Sequence, residues 1–496
     1  MNAIWLIALP LLGAFLLPII YRRNASVGHW TGPLILLVNL AMALEIWRNI
    51  TKHGTQIIEM GGFSAPIGII FYIDKLALLF VIMVVLGTFI LWLGKKRGEV
   101  REETLLLLIV AGGCGLALSG DLFNIYVFYE IVAVASYGLA ASGGKSAGYA
   151  ASIRFLILGA IGSSMLLLGI ALIYAITGTL NLSHLAELAP NMLNGPVGLA
   201  AFTLMLIGLG VKAELFPVNT WVPEIYATAP ARISGLLGGI VSKLALLIVL
   251  RLLVLMYADA PSAHLLLLNL GILGVITGEL AALRATDLRQ VLAYSSIGQL
   301  GLVAIAFSIP GPAGIMAGTA LALHHALAKP ALFMLTDTWG GQLSRLAGAK
   351  QVSMLSSVLF LVLALSLVGI PPLPGFWAKF LLLTGALGVT ENLGWYQMAM
   401  TMVIIATVIE TVYFMRIARL IFQEPQAKQT VEVPATRELV PAMALLSLLL
   451  ISVLSVEPIS KGLTAVASDA SNRQAYINKT LKIEPDNPDL DLKQDN

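Results

Sequence analysis

Six ionisable side chains stand where the chain is otherwise apolar. Glu130, Lys212, Lys243, His325, Lys329 and Lys379 each interrupt a long hydrophobic stretch. A Lys or Asp at the centre of a membrane helix disfavours insertion by roughly 2.5–3.5 kcal/mol, so several together must pair with one another or face internal water. These residue types suit proton handling. Burial drives a lysine to shed its proton and a neighbouring carboxylate holds it on, so a Glu–Lys couple in oil is poised between two states. Histidine titrates near neutrality and relays protons; His325 and Lys329, four apart, share one helix face. The bland alternative is a long side chain near a helix end that extends its charge to water. That fits Lys75, Arg154 and Arg251. It fits Lys212, Lys243, Lys379 and Glu130 poorly, because each has apolar residues on both sides. The adjacent His324 and His325 point to two faces and no third ligand stands at metal-site spacing, so neither a metal nor another cofactor is expected.

Two interrupted helices must position the outer lysines. In Gly210-Val211-Lys212-Ala213-Glu214-Leu215-Phe216-Pro217, the proline removes a backbone donor and disrupts a helix five residues after Lys212. In Gly369-Ile370-Pro371-Pro372-Leu373-Pro374-Gly375, the break comes five residues before Lys379. The order is reversed, and the two segments lie in the seventh and twelfth apolar stretches. A five-helix unit repeated once, entering the membrane from opposite sides, accounts for this, and paired interrupted helices point to an ion site. The competing reading is that the prolines only kink their helices; the lysine beside each break weighs against it.

The rest of the chain supplies the frame. Of 496 residues, 58% are hydrophobic and 11% charged, with mean hydropathy +0.89. Soluble proteins carry about 25% charge, so an all-α polytopic membrane protein is expected. Stretches of about 20 apolar residues give about fourteen transmembrane helices, including 104–120, 312–336 and 353–387. Residues 457–496 read as a polar tail outside the lipid, with Asp486, Asp489 and Asp491 near its end. Basic residues collect in the loops after odd-numbered helices (Arg22, Arg23, Lys95, Lys96, Arg97, Arg289, Arg416 and Lys428 among them), whereas those after even-numbered helices hold Arg48 and Lys52. The positive-inside rule then makes the odd loops cytoplasmic and places both termini on the opposite face. The basic residues after the first apolar run, not before it, mark a retained helix and not a signal peptide. One cysteine, Cys114, excludes a disulfide framework, and a net charge of +3 without basic clusters excludes nucleic-acid binding. Gly112-Gly113-Cys114-Gly115 lies within an apolar stretch with no preceding strand, which suits helix packing and not a dinucleotide loop.

Several motifs together resemble a known family. Gly120-Asp121-Leu122-Phe123-Asn124 leading to Glu130, Val211-Lys212 with Asn219-Thr220-Trp221-Val222-Pro223-Glu224, Asp287-Leu288-Arg289-Gln290-Val291-Leu292-Ala293-Tyr294-Ser295, His325 with Lys329, and the Gly369–Phe376 break with Lys379 are similar to the proton-translocating antiporter-like subunits of respiratory complex I, membrane-bound hydrogenases and Mrp-type cation/proton antiporters. The likeness spans roughly 60–460. Within the family the chain looks most like the D-type subunits of Mrp-type Na+/H+ antiporters, since a lysine and not an acid follows the second break.

The resemblance implies a fold of fourteen helices with two inverted five-helix repeats, each containing a broken helix. Residues 1–103 would hold helices 1–3, 104–256 the first repeat, 257–422 the second, and 423–496 the last helix and tail. It implies a proton path through Glu130, Lys212, Lys243, His325 and Lys379, and work in a hetero-oligomeric complex in the plasma (inner) membrane of a prokaryote, exchanging protons for Na+. Arg154 and Arg289 stand where relatives usually carry lysine, and arginine cannot release a proton. Glu214 and Glu410 have no family role; Glu410 is either an added acid on the exit route or a partner of Arg416. Two other readings stay open: an antiporter-like pumping subunit of a hydrogenase or complex I-type oxidoreductase, and a structural subunit that conducts nothing, in which the intramembrane lysines would have no use.

Overall fold

The computed structural model describes residues 2–94, 99–339, 341–424 and 436–483. Lys95, Lys96, Arg97, Lys428, Asp486, Asp489 and Asp491 lie outside the described residues. The chain is a multi-pass helical membrane protein. Among the described residues ten helices are long and apolar enough to cross a membrane, or eleven if the bent pair Leu439–Leu454 and Val456–Ser471 is one span. The remaining apolar stretches of the sequence are helical but fall short of that test for physical reasons. Val100–Leu118 opens on Arg101, Glu102 and Glu103. Pro312–Trp339 is diluted by His324, His325 and Lys329. Residues 353–387 are divided into Met354–Val368 and Pro374–Leu387.

Helix starts fall where carboxylates meet the first free N–H groups. Asp74 accepts from Ala77 N at 2.8 Å. Asp121 accepts from Phe123 N and Asn124 N at 2.9 and 3.0 Å, and Asp287 from Arg289 N and Gln290 N at 2.9 and 3.3 Å. Asp121 and Asp287 also make the same kind of antiparallel backbone bridge, to Asn181 and Gln342, each across the end of a long helix. The helices Pro261–Arg284 and Leu288–Ser308 approach closely because glycines face each other; a Cβ added at Gly278 would stand 2.5 Å from Gly298 N.

Two expectations need correction. The fold is not wholly helical: Gln56–Glu59 and Ile70–Ile73 pair antiparallel, Gln56 opposite Ile73. Four-residue strands are too short to announce themselves by period. The end of the chain is also not a featureless tail. Val456–Ser471 bends by 91° from the helix before it and buries Leu463, Val466, Ala467 and Ala470, an i, i+3, i+4, i+7 face. Arg473–Leu481 follows; Tyr476 stacks on Tyr72 with ring centres 3.9 Å apart, and Arg473 Nη1 meets Asp259 Oδ2 at 2.6 Å. The hairpin, the loop at Asp259 and the last described helix thus share one face of the protein.

Candidate functional site

At the first break, the helix Pro196–Ala213 stops because Glu214 turns left-handed, with φ +58°, and Leu215 N closes on Gly210 O at 2.9 Å. Trp221 Nε1 donates to Val211 O at 2.9 Å, and Asn219 Nδ2 to Glu214 O at 3.3 Å. Side chains therefore meet carbonyls that a severed helix leaves open, as burial in a membrane requires. Lys212 lies in the last turn, 3% exposed. Its Nζ donates to Tyr137 Oη at 3.0 Å and stands 4.3, 4.5 and 5.8 Å from the ring centres of Tyr137, Phe155 and Tyr129. An ammonium over aromatic faces is held by their quadrupoles. Glu130, half-buried on the helix Leu122–Ala140, accepts instead from the Ser163 hydroxyl. Glu130 and Lys212 form no direct ion pair: Ser163 bonds the one head and Tyr137 the other.

Glu214 is a buried acid to which sequence reasoning gave no role. It is 1% exposed, accepts from Tyr226 Oη at 2.5 Å, and lies within electrostatic reach of Lys243 and Lys329. Its signal was available: a carboxylate two residues past a mid-span lysine has nowhere polar to go but inward.

Lys243 and His325 are brought into contact. Residues Leu237–Val241 form a π turn, a local widening often found at functional positions, where Gly239 lies against Pro330. The Lys243 ammonium donates to Gly238 O, reaches Ser242 Oγ at 3.2 Å and abuts His325 Nδ1. With Lys243 as the donor, that ring nitrogen is the unprotonated one. His324 points the other way, to Ser366 Oγ at 2.9 Å, as adjacent helical residues must. One turn beyond His325, Lys329 is fully buried, its Nζ meets no hydrogen-bond partner, and Glu410, Glu279 and Glu214 are the acids within its reach.

At the second break, Met354–Val368 ends at Gly369 with φ +90°, and Pro374 opens the next helix, where a proline loses no hydrogen bond. Lys379 Nζ meets Glu410 Oε2 at 2.6 Å, Val368 O at 3.1 Å and Thr407 Oγ1 at 3.4 Å. Gln299 Nε2 donates to the other oxygen of Glu410 at 2.8 Å. Glu410 is therefore not a partner of Arg416, which bonds the carbonyls of Leu283 and Ala285. Arg251 and Arg154 each pair with a carboxylate away from the lysines. Arg251 Nη2 donates to both oxygens of Asp74 at 2.6 Å, and Arg154 meets Glu224 at 2.7 Å on the outer surface. The arrangement as a whole sets bases and acids at both helix breaks and between them, all inside the protein.

A family profile described as "NADH:quinone oxidoreductase/Mrp antiporter, TM" matches residues 119–410, from just before the Asp121 cap to Glu410. The chain belongs to this family. Among its NADH:quinone oxidoreductase/Mrp antiporter relatives, the D-type subunit of the Na(+)/H(+) antiporter of Bacillus subtilis is 29% identical over 96% of this chain and 98% of its own length. A subunit of the membrane-bound sulfane sulfur reductase, an archaeal respiratory membrane complex, superposes with a TM-score of 0.89 at 32% identity, covering 96% of this chain and 99% of its own. A chain of the Mrp complex from Dietzia gives a TM-score of 0.86 over 97% of this chain and 99% of its own; at 24% identity it speaks for the shared fold.

Proposed function

We propose that this chain is the proton-translocating subunit of a multi-subunit monovalent cation/proton antiporter exchanging Na+ for H+. The observation that carries the reading is the Lys243–His325 contact, with both residues no more than 1% exposed: two buried bases in hydrogen-bond contact form a link along which a proton can pass. Protons would enter near Glu130 and Lys212, pass by way of Glu214 to Lys243 and His325, then by Lys329 to Lys379, and leave on the far side. Glu130 closing on Lys212 would hold the proton; its withdrawal to Ser163 would release it.

The architecture we infer is fourteen crossings with two inverted five-helix repeats, 104–256 and 257–422, preceded by three helices in 1–103 and followed by the last helix and tail in 423–496. The matching bridges at Asp121–Asn181 and Asp287–Gln342 support the duplication. Both termini would lie on the non-cytoplasmic face of a prokaryotic plasma membrane. Partners would be other membrane subunits, as in the complexes whose chains superpose on this one. The test is Na+-dependent pH change in inverted vesicles carrying the whole complex. Lys212→Ala should abolish it while the complex still assembles; near-normal exchange in that variant refutes the reading.

A second reading, a pumping subunit in a redox-driven complex, has its own support in the 32% identity to the sulfane sulfur reductase chain. Purification from native membranes distinguishes the two: co-purifying iron–sulfur subunits favour it, and small membrane subunits alone favour the antiporter.

A further inference from the structure

Beside the Lys379–Glu410 pair lies a second buried carboxyl that the path above does not use. Glu279, on the helix Pro261–Arg284, is 2% exposed. It is drawn inward by the glycine-lined contact with Leu288–Ser308: its Oε1 rests on Gly298, in space that any Cβ there would fill. Its Oε2 is buried and reaches no donor in good hydrogen-bond geometry; the nearest group able to bond Glu279 is the Tyr413 hydroxyl, which in turn neighbours Ser295. The charges facing Glu279 from the surrounding helices are Glu410, Lys379 and Lys329. Leaving a buried acceptor unmet disfavours the fold by about 1–3 kcal/mol, and two acids sharing a site cannot comfortably both be ionised. A purely structural acid would have been tied to a donor, as Glu410 is to Gln299 and Lys379. Glu279 instead has beside it only the Tyr413 hydroxyl, a group that can pass a proton in either direction. It stands five residues, about 8 Å of helix, from the end marked by Arg284.

We infer that Glu279 is a proton-binding group of the transport path, exchanging its proton with the Lys379–Glu410 pair. The step carries a proton from the pair to Glu279 through water or the Tyr413 hydroxyl: one N–H bond breaks at Lys379, Glu410 passing the proton on, as one O–H bond forms at Glu279, and the return reverses both. The inference rests on the proton-transport reading, so the experiment keeps the two apart.

In inverted vesicles holding the whole complex, Glu279→Gln and Lys212→Ala are compared for proton movement, with assembly checked on the purified complex. Expected is at least a tenfold loss in Glu279→Gln with normal assembly. The infrared carbonyl stretch of a protonated carboxyl, present in the wild type, should also disappear in that variant. If Lys212→Ala is inactive but Glu279→Gln runs at the wild-type rate, or keeps that carboxyl band, the role of Glu279 is overturned and the general reading survives. If Lys212→Ala is active, the general reading falls first. Should Glu279→Gln fail to assemble, Glu279→Asp decides. Slowed transport with a displaced pH profile upholds the role, and an unchanged rate and profile overturn it.

Discussion

Lys379 Nζ and Glu410 Oε2 lie 2.6 Å apart, both with less than a tenth of their side chains exposed. A buried pair of this kind is weak evidence of stabilisation, because desolvation offsets the attraction, yet removing one partner strands the other. Glu410→Ala should therefore destabilise the protein by about 3–5 kcal/mol and lower the yield of assembled complex. The double variant Lys379→Met with Glu410→Met leaves no stranded charge. It should assemble at close to wild-type yield and move no protons. Thermal melting of the purified complex and vesicle assays read the two effects separately.

The Lys243–His325 contact makes a sharper demand on chemistry. Lys243→Arg keeps the positive charge but cannot release a proton at any working pH. The variant should assemble and lose transport by at least tenfold, whereas a lysine needed only as a fixed charge would tolerate arginine. Proton movement measured beside assembled-complex yield separates these outcomes.

Asp74 and Arg251 also form a buried pair, but Asp74 caps the helix Lys75–Leu93 and neither residue is near the breaks. Their partnership is structural. Arg251→Ala should cost about 3–5 kcal/mol through the uncompensated Asp74, and transport per assembled complex should stay within twofold of wild type. Quantifying the chain by immunoblot and normalising the vesicle rate checks this.

The clamp of Tyr476 on Tyr72 lies outside the spans and titrates. Burial, then Asp74, pushes the Tyr72 phenol well up, and burial does the same for Tyr476 against the opposing pull of Arg251. A phenol raised in the folded state keeps its proton there after the unfolded chain has lost it. Its contribution is therefore complete below pH about 10, the unfolded value, and declines above it. Limited proteolysis of residues 472–483 should be flat from pH 6 to about 9 and accelerate above about 10.

Much of this site is legible in the residues, and the exceptions share a cause. The breaks at Pro217 and Pro371–Pro374 announce themselves because proline has a local, sequence-encoded effect. So does the divergence of His324 from His325, which is a matter of helical angle. Contacts across helices are not local. That Glu410 belongs to Lys379 and not to Arg416 depends on how Leu393–Phe422 packs against Pro374–Leu387, which no spacing along one helix reveals. The same holds for Tyr137, which takes the Lys212 head that Glu130 was expected to hold. The π turn at Leu237–Val241 is invisible because its composition is that of an ordinary apolar helix. The amphipathic helix Val456–Ser471 is hidden because its apolar residues occupy one side only and leave no unbroken apolar run.

Lys212 rests on three aromatic rings, while Lys379 rests on a carboxylate. The difference matters at the instant of discharge. Were Lys212 to become neutral, Tyr129, Tyr137 and Phe155 would be left with no formal charge to compensate. Were Lys379 to become neutral, Glu410 would keep the Gln299 amide as a donor but lose its counter-charge, which favours capture of a hydrogen ion or a cation. On the proposed path, one terminus could idle in either condition while the other would need refilling.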